Sequence, residues 1–295
     1  MGVVGIDIGG TSFRIGLVDE KGTVSDFRKV PVKQVFTTPD PLADLSDYLK
    51  AYCEGKIVEA VAIGFPATLD AKRQTVLQAP NISFMENLPV VGVLSKELGI
   101  PVFIERDVTF GLMYDCKKYK VEETGIVCGF YFGTGIGNAI SINGKPLVGK
   151  NGTAGELGHI PVDGSEEVCG CGNVGCMEPL AGGRYLAQLC REVYTDTHIS
   201  EIFVKHGDTA ELRRFVDRMA IAVATEVNIL DPQVILIGGG VPAMTGFPTE
   251  YLLERIRFHA RKPYPAGNLS VFFTEDEPMK SVIGAAAYGK ARLNA

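Results

Sequence analysis

The chain of 295 residues is long enough for two domains of ordinary size. It is 46% hydrophobic and 22% charged, as globular proteins are, and its net charge of −6 disfavours general binding to nucleic acid. It contains no apolar run of the ~20 residues that cross a bilayer, and its start lacks the basic region of a secretory signal. We therefore expect a cytoplasmic enzyme without nucleic-acid or membrane partners.

Two β-hairpins, each with a glycine turn, are the first recurring pattern along the chain. The predicted parts are strand 3–8, turn Gly9-Gly10-Thr11 and strand 13–18, then strand 126–132, turn Gly133-Thr134-Gly135 and strand 138–142. Aligning the glycine runs gives a repeat distance of about 125 residues, which is too long for a solenoid. The pattern therefore predicts two related domains.

Helical and strand patterns alternate between and after these hairpins. The predicted helices are 41–53, 88–98, 108–119, 180–193, 210–230, 248–260 and 281–293, and the predicted strands are 58–65, 102–105, 234–237 and 269–273. Such alternation gives α/β domains with mixed sheets. We predict a boundary near the polar stretch 116–124, with domains that comprise residues 1–118 and 119–280, and a C-terminal helix, about 281–295, that packs on the first domain.

One loop concentrates metal-binding residue types. His159, Cys169, Cys171 and Cys176 follow the spacing H-x9-C-x-C-x4-C. Three thiolates and one imidazole form a closed tetrahedral zinc site, which leaves no coordination position for chemistry. A structural zinc ion is therefore expected, with Glu156 and Glu178 flanking it as the side chains it holds in place. Disulfides are the weaker alternative, because an odd number of cysteines and no export signal indicate a reducing compartment.

The glycine turns allow backbone N–H groups to approach an anion closely. Neither is a Walker loop, since no G-x-x-x-x-G-K-[ST] occurs, and a strand rather than a helix follows each turn. A single turn of this kind is ordinary, but two in register favour a phosphate site. Asp7, close before the first turn, suits a carboxylate that holds Mg²⁺ directly or through water. The third glycine run, Gly238-Gly239-Gly240 after a strand, could admit a nucleotide's sugar and adenine, although alone it would be uninformative.

Four motifs together resemble the ROK family of sugar kinases and sugar-responsive repressors. They are Asp7-Ile8-Gly9-Gly10-Thr11, Gly133 to Gly137, the AGELGH run that ends at His159, and the cysteine run from Cys169 to Glu178. The resemblance runs from residue 5 to the C-terminus. It implies an α/β protein with the two-domain actin-like ATPase (ribonuclease H-like) fold and an interdomain cleft. Within the family the chain is most similar to the allose kinases, through Gly64 to Ala67 and Arg106-Asp107-Val108.

The resemblance implies that Mg²⁺ and ATP phosphorylate the 6-hydroxyl of an aldohexose, with Asp107 as the general base. By position alone, Asp107 fits a helix N-cap equally well. His159 would use one ring nitrogen for zinc and the other for the sugar. The implied substrate-binding residues are Asn81, Arg106, Asp107, Glu156, His159 and Glu178. The implied ATP- and phosphate-binding residues are Asp7, Gly9, Gly10, Thr11, Arg14, Gly133, Thr134, Gly135, Gly239 and Gly240.

Two positions depart from the family pattern. Arg106 stands where the family usually has a sugar-binding Asn, so the substrate preference of glucokinases need not apply here. Ser12 replaces the usual Lys, and Arg14 shares its strand face. Arg14 is therefore either a phosphate-side charge or a solvated arginine. Glucose, fructose, mannose and N-acetylmannosamine are the alternative substrates to allose.

A sugar-sensing regulator is the alternative class of protein. Such relatives carry an N-terminal DNA-binding module, whereas the first strand here is predicted to begin at residue 3, and the chain is acidic. We therefore expect a kinase whose partners are a sugar and ATP, and which forms a homodimer as relatives often do.

Overall fold

The computed structural model describes residues 1–122 and 124–294. Glu123 of the predicted boundary and Ala295 of the predicted last helix lie outside the described residues. The strands are β1 (Gly2–Ile8), β2 (Ser12–Val18), β3 (Val24–Pro31), β4 (Val58–Phe65), β5 (Thr68–Leu69), β6 (Val76–Gln78), β7 (Val102–Arg106), β8 (Ile126–Phe132), β9 (Ile136–Ile142), β10 (Lys145–Pro146), β11 (Val234–Gly238) and β12 (Val271–Phe273). The helices are α1 (Val32–Val35), α2 (Pro41–Cys53), α3 (Val90–Leu98), α4 (Asp107–Lys118), α5 (Glu178–Ala181), α6 (Gly183–Glu192), α7 (Ile202–His206), α8 (Ala210–Leu230), α9 (Thr249–His259) and α10 (Lys280–Leu293).

The chain forms two compact units. The first comprises Met1–Lys120, Val148–Ala154 and the chain from Glu277 onward, and the second comprises Val121–Leu147 and Gly155–Asp276. The sequence prediction placed the segment Val148–Ala154 in the second domain, whereas the structure places it in the first unit. The Nη1 atoms of Arg73 and Arg106 donate to the carbonyls of Gly152 and Ala154, and these bonds hold the segment on the first unit.

The first unit is built on a five-stranded sheet in the order β3-β2-β1-β4-β7. β1, β2 and β3 form an antiparallel meander, and β4 and β7 run parallel to β1. β1 is buried along its whole length, and α10 packs on it so closely that a Cβ on Gly5 would lie 2.0 Å from the carbonyl oxygen of Val282. The parallel strands therefore place their carboxyl ends at one edge of the sheet.

The second unit repeats this sheet in the order β10-β9-β8-β11-β12. β8, β9 and β10 are again an antiparallel meander, and β11 and β12 run parallel to β8. The helix α8 is buried along one face in this unit's hydrophobic core. The identical strand order and direction confirm the internal repeat that the glycine runs predicted.

Most predicted elements are present, with three informative differences. The strand β3 was not predicted, because it lies at the sheet edge and its side chains are mostly exposed or half-buried. The predicted helix 180–193 is two helices, since Gly182 between α5 and α6 is extended. Asp107 is the first residue of α4 and Arg106 is the N-cap, so the alternative of an Asp107 N-cap is wrong.

Among the described helices, none has both the length and the apolar character needed to cross a bilayer.

Candidate active site and metal centre

The first glycine turn joins β1 to β2, and it carries a charged pair at its base. Asp7 and Arg14 face each other in the strand register, and the Arg14 Nη1 atom donates to Asp7 Oδ2 at 2.6 Å. Asp7 is buried, and a buried carboxylate is costly to keep charged unless a cation lies beside it. The Arg14 guanidinium is such a cation. Arg14 is therefore not a freely solvated arginine, and its guanidinium is held at the base of the turn.

The turn itself is held from two sides within the first unit. The backbone N–H of Gly9 donates to the carbonyl of Ser12 at 2.8 Å, which closes the turn. Asn81 packs on its other side, where a Cβ on Gly10 would lie 3.2 Å from the Asn81 carbonyl oxygen. The structure therefore brings Asn81 against the predicted phosphate-binding turn.

Asp107 follows β7 directly and lies at the same edge of the sheet as Asp7. The strand β1, which carries Asp7, and the strand β7, which precedes Asp107, flank β4, where Gly64 pairs with Asp7 on one side and with Glu105 on the other. Burial, and then the negative charge of Asp7, raises the pKa of Asp107 to about 7. The bond from the backbone N–H of Val108 to Asp107 Oδ1 opposes this shift and fixes the carboxyl at the helix start. Asp107 can therefore exchange a proton near neutral pH.

Arg106 is part of a network that sequence reasoning did not find. Glu105, 1% exposed, accepts a bond from Arg73 Nε at 2.8 Å and another from the backbone N–H of Arg106. Arg106 Nη1 donates to the carbonyl of Ala154 at 2.7 Å. The Arg106 guanidinium thus bonds to the backbone of the segment that runs into Gly155 and Glu156.

The four predicted metal ligands form one cluster in the second unit. The ligand atoms of His159, Cys169, Cys171 and Cys176 all lie within 4.8 Å of one another. The sulfurs of Cys171 and Cys176 are 3.8 Å apart, and His159 Nδ1 is 3.6 Å from the sulfur of Cys169. Zinc bonds of ~2.3 Å to sulfur and ~2.0 Å to nitrogen give tetrahedral edges of about these lengths. The donor set and its spacing therefore fit zinc.

His159 presents its two ring nitrogens to different neighbours. Nδ1 is on the side of the cysteines, and Nε2 lies 3.6 Å from Glu156 Oε2. A histidine that binds a metal through one nitrogen is oriented by what the other nitrogen meets. Glu156 is therefore the side chain that a metal bound to His159 would help to orient.

The second glycine turn joins β8 to β9, and it is held by residues that follow the metal ligands. Glu178 Oε2 accepts a bond from the backbone N–H of Ile136 at 2.9 Å. The third glycine run lies nearby, since the backbone N–H of Val241 donates to Phe132 and a Cβ on Gly239 would lie 2.6 Å from the Phe132 carbonyl oxygen. The structure therefore brings the second and third glycine runs to the end of β8.

The predicted site residues form a group within each unit. In the first unit, the residues on β1 and β2, at the turn between them, at the junction of β7 and α4, and on the loop after β6 are Asp7, Gly9, Gly10, Thr11, Arg14, Asn81, Arg106 and Asp107. In the second unit, the residues at the turn, the third glycine run and the metal loop are Gly133, Thr134, Gly135, Glu156, His159, Cys169, Cys171, Cys176, Glu178, Gly239 and Gly240.

Two units of this sheet topology define the actin-like ATPase fold. Solved structures with the same fold include a ROK family glucokinase from Streptomyces griseus in complex with glucose and AMPPNP (27% identity, TM-score 0.77, 99% of this chain and 100% of that one). They also include a ROK hexokinase from Thermus thermophilus (27% identity, TM-score 0.81, 100% and 99%).

A family model described as the ROK family matches residues 3–292, and the chain belongs to that family. A glucokinase from Thermotoga maritima is 29% identical over 261 residues, which cover 81% of this chain and 82% of the relative. An N-acetyl-D-glucosamine kinase from Salmonella typhimurium is 30% identical over 281 residues, which cover 86% and 89%. These comparisons establish the family without singling out allose as the substrate.

Proposed function

We propose that this chain transfers the γ-phosphate of ATP to the 6-hydroxyl of an aldohexose, and that D-allose is its preferred substrate. It is an ATP-dependent sugar kinase of the ROK family, with glucokinase and N-acetylglucosamine kinase among its relatives. The observation that carries the proposal is the position of Asp107 at the carboxyl end of β7, beside Asp7 and with a pKa of about 7.

The proposed chemistry begins with the sugar hydroxyl. Asp107 accepts a hydrogen bond from the 6-hydroxyl, orients its oxygen towards the γ-phosphate, and takes the proton as the new P–O bond forms. The bond from the γ-phosphorus to the bridging oxygen breaks in the same transfer, and ADP leaves with that oxygen. Asp7 would hold Mg²⁺ directly or through water, and that ion supplies neutralisation of the phosphate charge when bound. The N–H groups and Thr hydroxyls of the two glycine turns bind the phosphates, with the third glycine run beside the nucleotide.

Sugar recognition is assigned to carboxylate, imidazole and amide side chains. Glu156 and Glu178 accept hydrogen bonds from sugar hydroxyls, and His159 Nε2 donates one. Asn81 adds an amide at the first turn. Zinc bound by His159, Cys169, Cys171 and Cys176 would fix the loop on which these acceptors stand, because a closed site contributes order rather than chemistry.

The preference for allose is supported by the residues around Asp107. Arg106 stands in place of the family's Asn and bonds to the Ala154 carbonyl, so the sugar meets a different donor here. Epimers differ by one inverted hydroxyl, hence by one or two hydrogen bonds. Glucose and N-acetylglucosamine are the second candidates, since they are named substrates of relatives at 29% and 30% identity.

A coupled assay of ADP release tests the proposal directly. The panel comprises D-allose, D-glucose, D-mannose, D-fructose, N-acetyl-D-mannosamine and N-acetyl-D-glucosamine, each with ATP and Mg²⁺. We expect the highest kcat/KM with D-allose, and no turnover with 6-deoxy-D-allose, which lacks the acceptor hydroxyl. A higher kcat/KM with glucose would overturn the allose assignment. ADP release that no sugar accelerates would overturn the kinase assignment.

A further inference from the structure

Glu178 contacts the second glycine turn directly. It is the first residue of α5, two positions after Cys176, and its Oε2 atom accepts the hydrogen bond from the Ile136 backbone. Gly135 passes so close that a Cβ there would lie 2.3 Å from the same oxygen. Any side chain at position 135 would displace this carboxylate, so the glycine and the glutamate fit only together.

The start of α6 bonds to the same turn. The backbone N–H of Gly183 donates to the carbonyl of Gly133 at 2.8 Å, and that of Arg184 donates to Thr134 at 3.0 Å. Gly182 makes this approach possible, because a Cβ there would lie 3.0 Å from the Thr134 carbonyl oxygen. Two hydrogen bonds donated by Gly183 and Arg184, and one that Glu178 accepts from Ile136, therefore hold the turn Gly133-Thr134-Gly135 and the residue after it.

The other end of this connection is the metal loop. Cys176 pairs with Pro161 in an isolated antiparallel bridge, and the backbone N–H of Met177 donates to Ile160 at 3.0 Å. Gly158, beside His159, packs against Glu178, since a Cβ on it would lie 3.3 Å from the Glu178 Cβ. The backbone around two metal ligands, His159 and Cys176, is thus packed directly on Glu178.

We infer that Glu178 is a positioning residue that couples the metal loop to the second glycine turn, so that metal binding strengthens nucleotide binding even without sugar. The inference rests on the proposed function, in which this turn binds the phosphates of ATP. A turn held in place before binding does not have to be ordered by the nucleotide, and that ordering cost is otherwise subtracted from affinity. A metal-free loop leaves Glu178 attached to a mobile segment, and the turn loses its fixed partner.

The test measures the affinity for Mg²⁺·AMPPNP, without sugar, by calorimetry in zinc-loaded and chelator-treated protein. We expect chelation to weaken AMPPNP binding about tenfold, as expected for losing one hydrogen bond to a charged group, and added zinc to restore it. Zinc-loaded Glu178→Ala should show the same loss, and chelation should add less than about twofold to it. Glu178→Gln keeps an oxygen that accepts from Ile136, so it should bind AMPPNP within about threefold of the wild type.

Glu166→Ala is the matched control, because Glu166 is an exposed glutamate of the same loop. It should bind AMPPNP as the wild type does and respond fully to chelation. Unchanged AMPPNP affinity after verified zinc loss would overturn the inference, as would additive losses from chelation and Glu178→Ala.

Amide hydrogen exchange decides the inference independently of nucleotide binding. A peptide that spans Gly133 to Gly137 should exchange faster after chelation in the wild type and in Glu178→Ala with zinc. Unchanged exchange in both would overturn the coupling. If AMPPNP bound to no form, the proposed function would fail, while the exchange result would still decide whether the turn depends on the metal loop.

Discussion

The two units repeat one sheet but provide the carboxylate at the glycine turn from different places. In the first unit, Asp7 lies on β1 itself and pairs with Arg14 across the strand register. In the second unit, the corresponding pair is Tyr131 and Gly137, and the carboxylate comes from Glu178 of α5. The duplicated sheet thus supplies both turns, but the carboxylate comes from the sheet itself in the first unit and from a helix outside the sheet in the second.

This difference has a physical consequence for how each turn is maintained. The Asp7–Arg14 pair depends on strand pairing, which is buried in the core of the first unit. Glu178 depends on a loop rich in glycine and cysteine, in which Val168, Cys171 and Val174 are exposed. The first turn should therefore be insensitive to metal, and the second should follow it.

Removing the base should have the largest effect. Asp107→Asn keeps the size of the side chain but cannot take the hydroxyl proton, so kcat should fall about 10³-fold. Binding of AMPPNP and of the sugar should stay measurable by calorimetry. Asp208→Asn, which changes an exposed aspartate, should retain the wild-type rate. A kcat within tenfold of the wild type for Asp107→Asn would rule out its role as base.

Metal removal should weaken the binding of the sugar more than the binding of AMPPNP. Glu156, His159 and Glu178 all depend on the metal loop, and only Glu178 also bonds to the glycine turn. Sugar affinity should therefore fall about 100-fold, and AMPPNP affinity about tenfold, because each lost hydrogen bond to a charged group costs ~1.5 kcal/mol or more. Titration calorimetry of both ligands before and after chelation measures this ratio. Equal losses would contradict the assignment of sugar contacts to the loop.

The pH dependence of kcat/KM should follow the ionisation of Asp107, whose pKa depends on Asp7 in the first unit. Burial and the charge of Asp7 raise the pKa of Asp107 to about 7, and a base must be deprotonated to act. As pH falls below about 7, kcat/KM should therefore drop about tenfold per pH unit, while the rate above that pH should be level. Initial rates between roughly pH 5 and pH 9 measure this profile. A rate that stays level down to pH 5 would show that Asp107 is ionised throughout.

Arg106→Asn should have the smallest effect, and it tests substrate choice. The shorter amide cannot reach the Ala154 carbonyl, so the segment Val148–Ala154 loses one of its bonds to the rest of the first unit. We expect kcat/KM for the preferred hexose to fall about tenfold, the value of roughly one hydrogen bond, and the ratio for glucose to rise. Arg191→Asn, on the exposed face of α6, is the matched control. An unchanged ratio between sugars would remove Arg106 from the determinants of specificity.

The hydrophobic pattern of the sequence was sufficient to predict the helices and strands whose own side chains are buried in a regular way. The bounds of α2, β4 and α8 agree with the sequence prediction, because α2 and α8 have clear helical periodicity and β4 is a short, nearly continuous apolar run. The edge strand β3 escaped prediction since pairing with β2, rather than its own hydrophobic pattern, makes it a strand.

The candidate site likewise contains residues that the sequence could identify and contacts that only the fold creates. The residue types and spacing of the metal ligands indicated the metal site on their own. Asp107 was assigned through the family resemblance, because its position alone fitted a helix N-cap equally well. The Arg73–Glu105 pair and the bond from Ile136 to Glu178 join residues 32 and 42 positions apart. Such contacts follow from the fold, and glycines such as the Gly182-Gly183 pair are the local sign that two backbones approach there.

The segment Val148–Ala154 limits how far this protein can be treated as modular. It belongs to the first unit although both of its flanks belong to the second, so the chain passes between the units four times. A fragment of residues 121–276 would carry this segment without Arg73 and Arg106, whose guanidinium groups bond to its carbonyls. If residues 121–276 were exchanged between relatives as one piece, the exchange would therefore also replace Val148–Ala154 of the first unit. That segment contacts Arg106, the neighbour of the proposed base Asp107.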